Sequence, residues 1–232
     1  MDIEKNLADF LPSDVEAVVA SERNYAAMYN RQSEPRAILL AGQPGAGKTV
    51  LSSMLNKLLC GNVYFINADE YRRFHPNYKE LYARYGSDSV QMTSGFSGAV
   101  TERLIHETSE RGIHLIIEGT GRTTDVPHRT AELLVKKGYR VELAVIATRP
   151  EHSLCSTLLR FYEMNERGTI PRATAVEAHD YVVRVLPDNL DILRDDPVIS
   201  GITIWDRTPT KIYDSCGTAE CPSEVLRQYW NR

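Results

Sequence analysis

The chain has 232 residues, 42% hydrophobic and 25% charged, which suits one α/β domain with decorations better than two independent ones. A net charge of −4 gives no basic excess and argues against a nucleic-acid partner, while a small anionic substrate gripped by a few arginines stays compatible. No apolar run is long enough to cross a bilayer and no secretory leader pattern is visible, so a cytoplasmic protein without a membrane partner is expected.

Residues 1–34 read as an N-terminal helical segment. Ser13-Asp14-Val15-Glu16 has capping-box spacing and opens a helix that runs to about Arg31. Pro35 then leads into a buried strand, Ala37 to Ala41. Next comes Gly42-Gln43-Pro44-Gly45-Ala46-Gly47-Lys48-Thr49, which fits the G-x-x-x-x-G-K-[ST] phosphate loop and is followed by helical spacing from Val50 to Leu59. The glycines let the backbone curl around an anion, so that successive N–H groups converge on phosphate oxygens. Lys48 is expected to reach the β and γ phosphates of a nucleoside triphosphate, and the Thr49 hydroxyl to ligate Mg²⁺. An ordinary Gly-rich turn is the alternative; a strand before and a helix after speak against it.

After a turn at Gly61-Asn62, Val63 to Asn67 reads as a second strand ending in Ala68-Asp69-Glu70. A strand, helix and strand in succession imply a right-handed crossover in a parallel sheet, whose functional residues gather at the carboxyl ends of the strands. Asp69 should therefore share an edge with Lys48. It is either placed to accept a hydroxyl proton there, or only caps the segment that follows. His75-Pro76 breaks the next helix, and Tyr78 to Tyr85 reads as helix and surface loop. A long helix from Asp88 to Arg111 carries Glu102 and closes at Gly112. The third strand, His114 to Ile117, runs into the polar, Gly-rich stretch Glu118 to Asp125, where loops carry chemistry more often than stability. Glu118, Thr120 and Arg122, with Glu102, are suited to orienting a polyhydroxylated acceptor.

Asp125 is expected to cap a helix reaching Lys137, and Val141 to Ala147 forms a fourth strand. Thr148-Arg149-Pro150-Glu151 and Thr174-Ala175-Val176-Glu177 have capping-box spacing and open two further helices. Between them lie Arg160, the break Gly168 to Pro171, and Arg172. Two arginines flanking one hinge have the shape of a lid that closes over a triphosphate, although a surface ion pair is the competing reading for each. Ile202 to Trp205 reads as a last central strand, Lys211 to Asp214 as a short edge strand, and Pro222 to Tyr229 as a closing helix. Cys60, Cys155, Cys216 and Cys221 fall in no metal or redox spacing, and no H-E-x-x-H pair supports zinc. The fold expected is α/β and P-loop NTPase/kinase-like: a parallel sheet with helices on both faces and a helical lid. Its core covers residues 35–214, with the lid near 160–174 and a C-terminal segment at 215–232.

Several of these stretches together resemble the zeta-toxin family. They are Gly42 to Thr49, Asn67-Ala68-Asp69, His75-Pro76, Thr101-Glu102, the run from Ile117 to Pro127, Arg160-Phe161-Tyr162-Glu163 and Arg172-Ala173-Thr174. The family consists of bacterial kinases of toxin–antitoxin systems that phosphorylate the 3′-hydroxyl of the amino sugar in UDP-N-acetylglucosamine. The resemblance implies that Lys48 binds the ATP phosphates, Thr49 helps hold Mg²⁺, and Asp69 activates the sugar hydroxyl. It further implies that Arg160 and Arg172 are lid arginines, that Glu102, Glu118, Thr120 and Arg122 contact a nucleotide sugar, and that an antitoxin is a partner. One departure bears on the lid: the family's A-T-P after the second lid arginine is Ala173-Thr174-Ala175 here, with Pro171 before the arginine. Two other functions fit part of the pattern. A kinase of another hydroxylated acceptor, such as an antibiotic or a different nucleotide sugar, would share every donor-side residue. A nucleotide-gated switch would leave the loop from Glu118 to Asp125 without a task, and no N-K-x-D segment accompanies it.

Overall fold

The computed structural model describes residues 6–232. Six strands, β1 (Arg36–Ala41), β2 (Val63–Asn67), β3 (His114–Glu118), β4 (Arg140–Ile146), β5 (Ile202–Trp205) and β6 (Lys211–Asp214), make one sheet in the order β2-β3-β1-β4-β5-β6. β1 to β5 run parallel, and β6 returns antiparallel along the edge of β5. Each strand sends alternate side chains to opposite faces. Leu39, Leu115, Ile117, Leu143 and Val145 enter the larger core, whereas Ile38, Leu40, Ile116 and Ile146 enter a smaller one.

The larger core lies under α1 (Pro12–Ala26), α6 (Ser94–Glu110), α7 (Asp125–Lys136), α9 (Val176–Arg194) and α10 (Pro222–Trp230), which contribute Val19, Phe96, Leu134, Leu186 and Leu226. The smaller is closed by α2 (Lys48–Leu58) through Leu51 and Leu55. The sheet is thus covered on both faces, as a parallel sheet requires. Three short helices, α3 (Ala68–Tyr71), α4 (Tyr78–Tyr85) and α5 (Ser89–Met92), lie between β2 and α6, and α8 (Pro150–Glu166) follows β4. Among the described residues no helix is long and apolar enough to cross a membrane, and all four cysteines are free thiols.

The strands fall where the sequence puts them, and so does the start of α10 at Pro222, but several other helix starts do not. α1 begins at Pro12, with the Asp14 carboxylate accepting the Leu11 N–H at 2.7 Å, and ends at Ala26 rather than near Arg31. Thr148 does not cap α8. Its hydroxyl donates to the Ala46 carbonyl at 2.6 Å, tying the end of β4 to the phosphate loop. Thr174 does not cap α9 either, since its Oγ1 accepts from Arg160 at 3.3 Å. Asp125 is the first residue of α7 instead of its cap. The helix expected from Asp88 to Arg111 is broken at Thr93, a buried residue whose hydroxyl donates back to the Ser89 carbonyl at 2.8 Å and separates α5 from α6.

Candidate active site

The parallel strands bring the phosphate loop, α3, the stretch after Glu118 and the start of α8 to one edge of the sheet, the carboxyl edge. Within the loop, Gly45 has φ +76°, and a Cβ there would overlap the Ser153 carbonyl on the first turn of α8. Gly47 precedes α2 with φ +103°. Only glycine adopts these conformations without strain. Gln43 and Ala46 are buried, which fixes the loop from behind, while the Thr49 side chain is exposed on the first turn of α2. Lys48 Nζ donates to the Gly42 carbonyl at 2.9 Å and stands 3.9 Å from Glu118 Oε1. Burial pushes its ammonium below the usual lysine range, against the pull of Glu118 and Asp69.

Asn67, the last residue of β2, positions both nearby carboxylates. Its Oδ1 accepts the Asp69 N–H at 3.0 Å, and its Nδ2 donates to Glu118 Oε2 at 3.0 Å. Arg72 Nε then donates to Asp69 Oδ1 at 2.9 Å, while Arg172 stands 4.0 Å from Asp69 and 3.4 Å from Glu70. Burial pushes the Asp69 carboxyl up, but the hydrogen bond from Arg72 and the charges of Arg72, Arg172 and Lys48 outweigh it, so the group sits below the ordinary aspartate value. Glu118 goes the other way. Burial raises it, Asp69 and Glu70 add to the effect, and Lys48 and Arg172 oppose it. Two neighbouring carboxylates with pKa values pushed apart are an arrangement found at functional sites.

The segment between α8 and α9 folds back along α8, and Arg160 on that helix meets Thr174 on the returning stretch. Burial and the neighbouring Arg172 pull Arg160 below the usual arginine range, and its Nε is buried without a partner among the described residues. Hydrogen bonds clamp the stretch after β3 to β1 and to the phosphate loop: the Gly119 N–H donates to the Leu40 carbonyl at 2.9 Å and the Gly42 N–H to the Thr120 carbonyl at 3.2 Å. Of the residues singled out from sequence, Lys48, Asp69, Glu118, Arg160 and Arg172 therefore come together. Glu102 is exposed on α6 with no hydrogen bond or ion pair to a described residue. Arg122 is exposed, and its backbone N–H donates to the Thr120 hydroxyl at 3.4 Å. Sequence reasoning missed Arg72, Glu70 and the positioning part of Asn67. The three-residue spacing from Asp69 to Arg72, which makes neighbours on a helix, was the available signal for Arg72; the amide of Asn67 gave none.

A phosphate loop at the carboxyl end of β1, a sheet ordered 2-3-1-4-5 and an arginine-bearing arm beside it define a P-loop kinase-like fold built to bind a nucleotide. The family model described as zeta toxin matches residues 20–218. Toxin PezT of Streptococcus pneumoniae is 43% identical over 196 residues, which is 84% of this chain and 78% of that protein. The solved structure from the PezAT chromosomal toxin-antitoxin system of the same species is similar with a TM-score of 0.86 at 36% identity, covering 97% of this chain and 90% of that one. A putative kinase from Chloroflexus aurantiacus shares the fold, with a TM-score of 0.51 at 14% identity over 85% of this chain and 99% of that one. The chain belongs to the zeta toxin family.

Proposed function

We propose that this protein transfers the γ-phosphoryl group of ATP to the 3′-hydroxyl of the amino sugar in UDP-N-acetylglucosamine, and that a cognate antitoxin holds it in check. The observation that carries the reading is the convergence of Lys48, Asp69, Glu118, Arg160 and Arg172 at one end of a parallel sheet. Family membership supports the acceptor and the antitoxin.

Lys48 leaves the Gly42 carbonyl for the phosphates, which offer it full charges in place of a dipole. Asp69, ionised at neutral pH, accepts a hydrogen bond from the acceptor hydroxyl, aims its oxygen along the line of attack and takes its proton. In a loose transition state the proton leaves late, so a carboxylate of low basicity suffices and orientation matters more. Arg160, already stripped of water and with Nε unpaired, donates to the oxygens on which charge develops, and Arg172 closes from the other side of the hinge. Glu118, held by Asn67, accepts from a second hydroxyl of the sugar.

Mg²⁺ fits this site through the Thr49 side chain, which is exposed on the turn that faces the phosphates. Among the described residues no group of three or more His, Cys, Asp or Glu could hold a metal; Mg²⁺ would keep most of its waters and be held through substrate phosphates beside Thr49. When bound, the ion would supply positive charge that offsets the charge developing on the transferred phosphoryl group. The test is incubation of the purified protein and Mg-ATP with a panel of nucleotide sugars and free sugars, read by mass spectrometry. Gain of one phosphoryl group on UDP-N-acetylglucosamine is expected. A product on a different acceptor overturns the acceptor assignment, and no product on any acceptor overturns the kinase reading.

A further inference from the structure

Behind the phosphate loop lies a buried polar chain that takes no part in the chemistry above. The Gln43 side-chain amide points inward, donating to the Thr148 carbonyl at 2.6 Å and to the Ser153 hydroxyl at 3.2 Å. Ser153 Oγ is 2.8 Å from His179 Nε2, and His179 Nδ1 is 2.9 Å from Asp180 Oδ1. Gln43, Ser153 and His179 are each no more than 1% exposed. The order serine, histidine, aspartate therefore does not mark a hydrolase, because no substrate reaches the hydroxyl. Three members of the chain sit on three different elements. Gln43 belongs to the phosphate loop, Ser153 to the start of α8, and His179 to the start of α9. The arm from residue 154 to 178, which carries Arg160 and Arg172, is closed at its base by the contact between Ser153 and His179. The loop leans on the same turn through Gly45, which has no room for a Cβ against the Ser153 carbonyl.

The hydrogens can be assigned consistently. The Asp180 carboxylate beside Nδ1 selects the tautomer with its proton there, which leaves Nε2 to accept from the Ser153 hydroxyl. The Gln43 amide in turn donates to Ser153. A disturbance at α9 thus reaches the loop through two hydrogen bonds and no mobile surface group.

We propose that His179 is a positioning residue that couples the phosphate loop to the arginine-bearing arm, fixing through Ser153 and Gln43 the loop curvature that the closed arm requires. The inference rests on the site being one for ATP-dependent phosphoryl transfer. It is tested with His179→Phe, His179→Gln, Ser153→Ala and the pair His179→Phe with Ser153→Ala. Phenylalanine fills the buried volume, and Ser153 can then donate to the Pro150 carbonyl 2.9 Å away, so the variant strands no hydroxyl. Glutamine returns an acceptor near the position of Nε2.

Mg-ATP affinity is measured by titration calorimetry without acceptor, alongside melting temperature, kcat and KM. His179→Phe should weaken Mg-ATP binding roughly tenfold, the size expected for one lost buried hydrogen bond. Its melting temperature should fall by only about 2–4 °C, the stability cost of one such bond, and the glutamine variant should recover most of the affinity. The paired variant should lose no more than His179→Phe alone, because the two groups act as one unit. If His179→Phe does not fold, Ser153→Ala carries the same comparison. Wild-type affinity in the phenylalanine variant (in Ser153→Ala if it alone folds), no recovery with glutamine, or additive losses would overturn the proposal. A wild-type protein that binds Mg-ATP yet phosphorylates no acceptor would count against the kinase reading alone, since the calorimetric comparison decides the coupling without it.

Discussion

Asp69 combines two properties that pull in different directions for a general base. In the proposed reaction it receives the acceptor's proton, yet Arg72 and Arg172 make it a weaker base than a free aspartate. A transition state in which the proton moves late resolves the tension. Asp69→Asn keeps the size and one acceptor oxygen but removes the charge, so Mg-ATP affinity should hold while single-turnover transfer falls by at least about a hundredfold. A variant that keeps most of its turnover would remove Asp69 from the role. Glu118 supplies the pH dependence. Its carboxyl titrates above the ordinary glutamate value of 4.5, because burial penalises the charged form, whereas Asp69 titrates below the ordinary aspartate value of 3.8. As pH falls, Glu118 is therefore protonated first. The acid limb of kcat/KM, which reports the free enzyme, should lie above pH 4.5 and in Glu118→Gln move below pH 3.8, where Asp69 is the next of the two to be protonated. A limb unchanged in that variant assigns it to another group.

At the scale of elements, the parts readable from sequence were those with one dominant physical cause. Apolar runs such as Ala37 to Leu40 and Leu115 to Ile117 have no stable place except the middle of a covered sheet, so their burial fixes them. Capping boxes are different. Ser13, Thr148 and Thr174 each had a glutamate three residues on, yet in each case the helix starts at another residue, twice at a proline. The hydroxyls of Thr148 and Thr174 went to longer-range partners in the loop and the arm, which no local pattern records. The site divides in the same way. Lys48 announces itself through its loop and Arg72 through its three-residue spacing from Asp69, but Asn67 acquires its task only once β2 lies beside β3 and its amide reaches Glu118. Gly121 has a similarly hidden reason. Its φ is +72°, and a Cβ there would lie 2.5 Å from Leu186 Cδ1 and 3.1 Å from Ala41 Cβ, between β1 and α9. Gly121→Ala should cost about 1–3 kcal/mol through overpacking, more with the left-handed backbone, as measured by urea unfolding. Leu186→Ala in the same chain opens the space that the new methyl needs, so the pair should cost less than the sum of the two. Strict additivity would show that the Leu186 contact is not what keeps glycine there.

For the molecule as a whole, the cluster at the carboxyl edge sets how stability answers to ligand. Lys48 and Arg160 are both held below their usual pKa ranges chiefly by burial, which means that the free protein keeps two cations away from water with incomplete compensation. Glu118 and Asp69 offset part of this, but Lys48 spends one of its donors on a neutral carbonyl, and Arg160 Nε has no partner among the described residues. A triphosphate brings the missing negative charge, so binding and folding should be strongly linked. At a hundredfold excess over Kd, Mg-ATP should stabilise the fold by about 2.7 kcal/mol. In a chain of this length that corresponds to a rise in melting temperature of about 5–10 °C. Lys48→Ala removes the ammonium that the phosphates meet first and should lose most of the rise at the same nucleotide concentration. If the variant kept the whole shift, the nucleotide would be binding elsewhere on the molecule, and the phosphate loop would have no part in holding it.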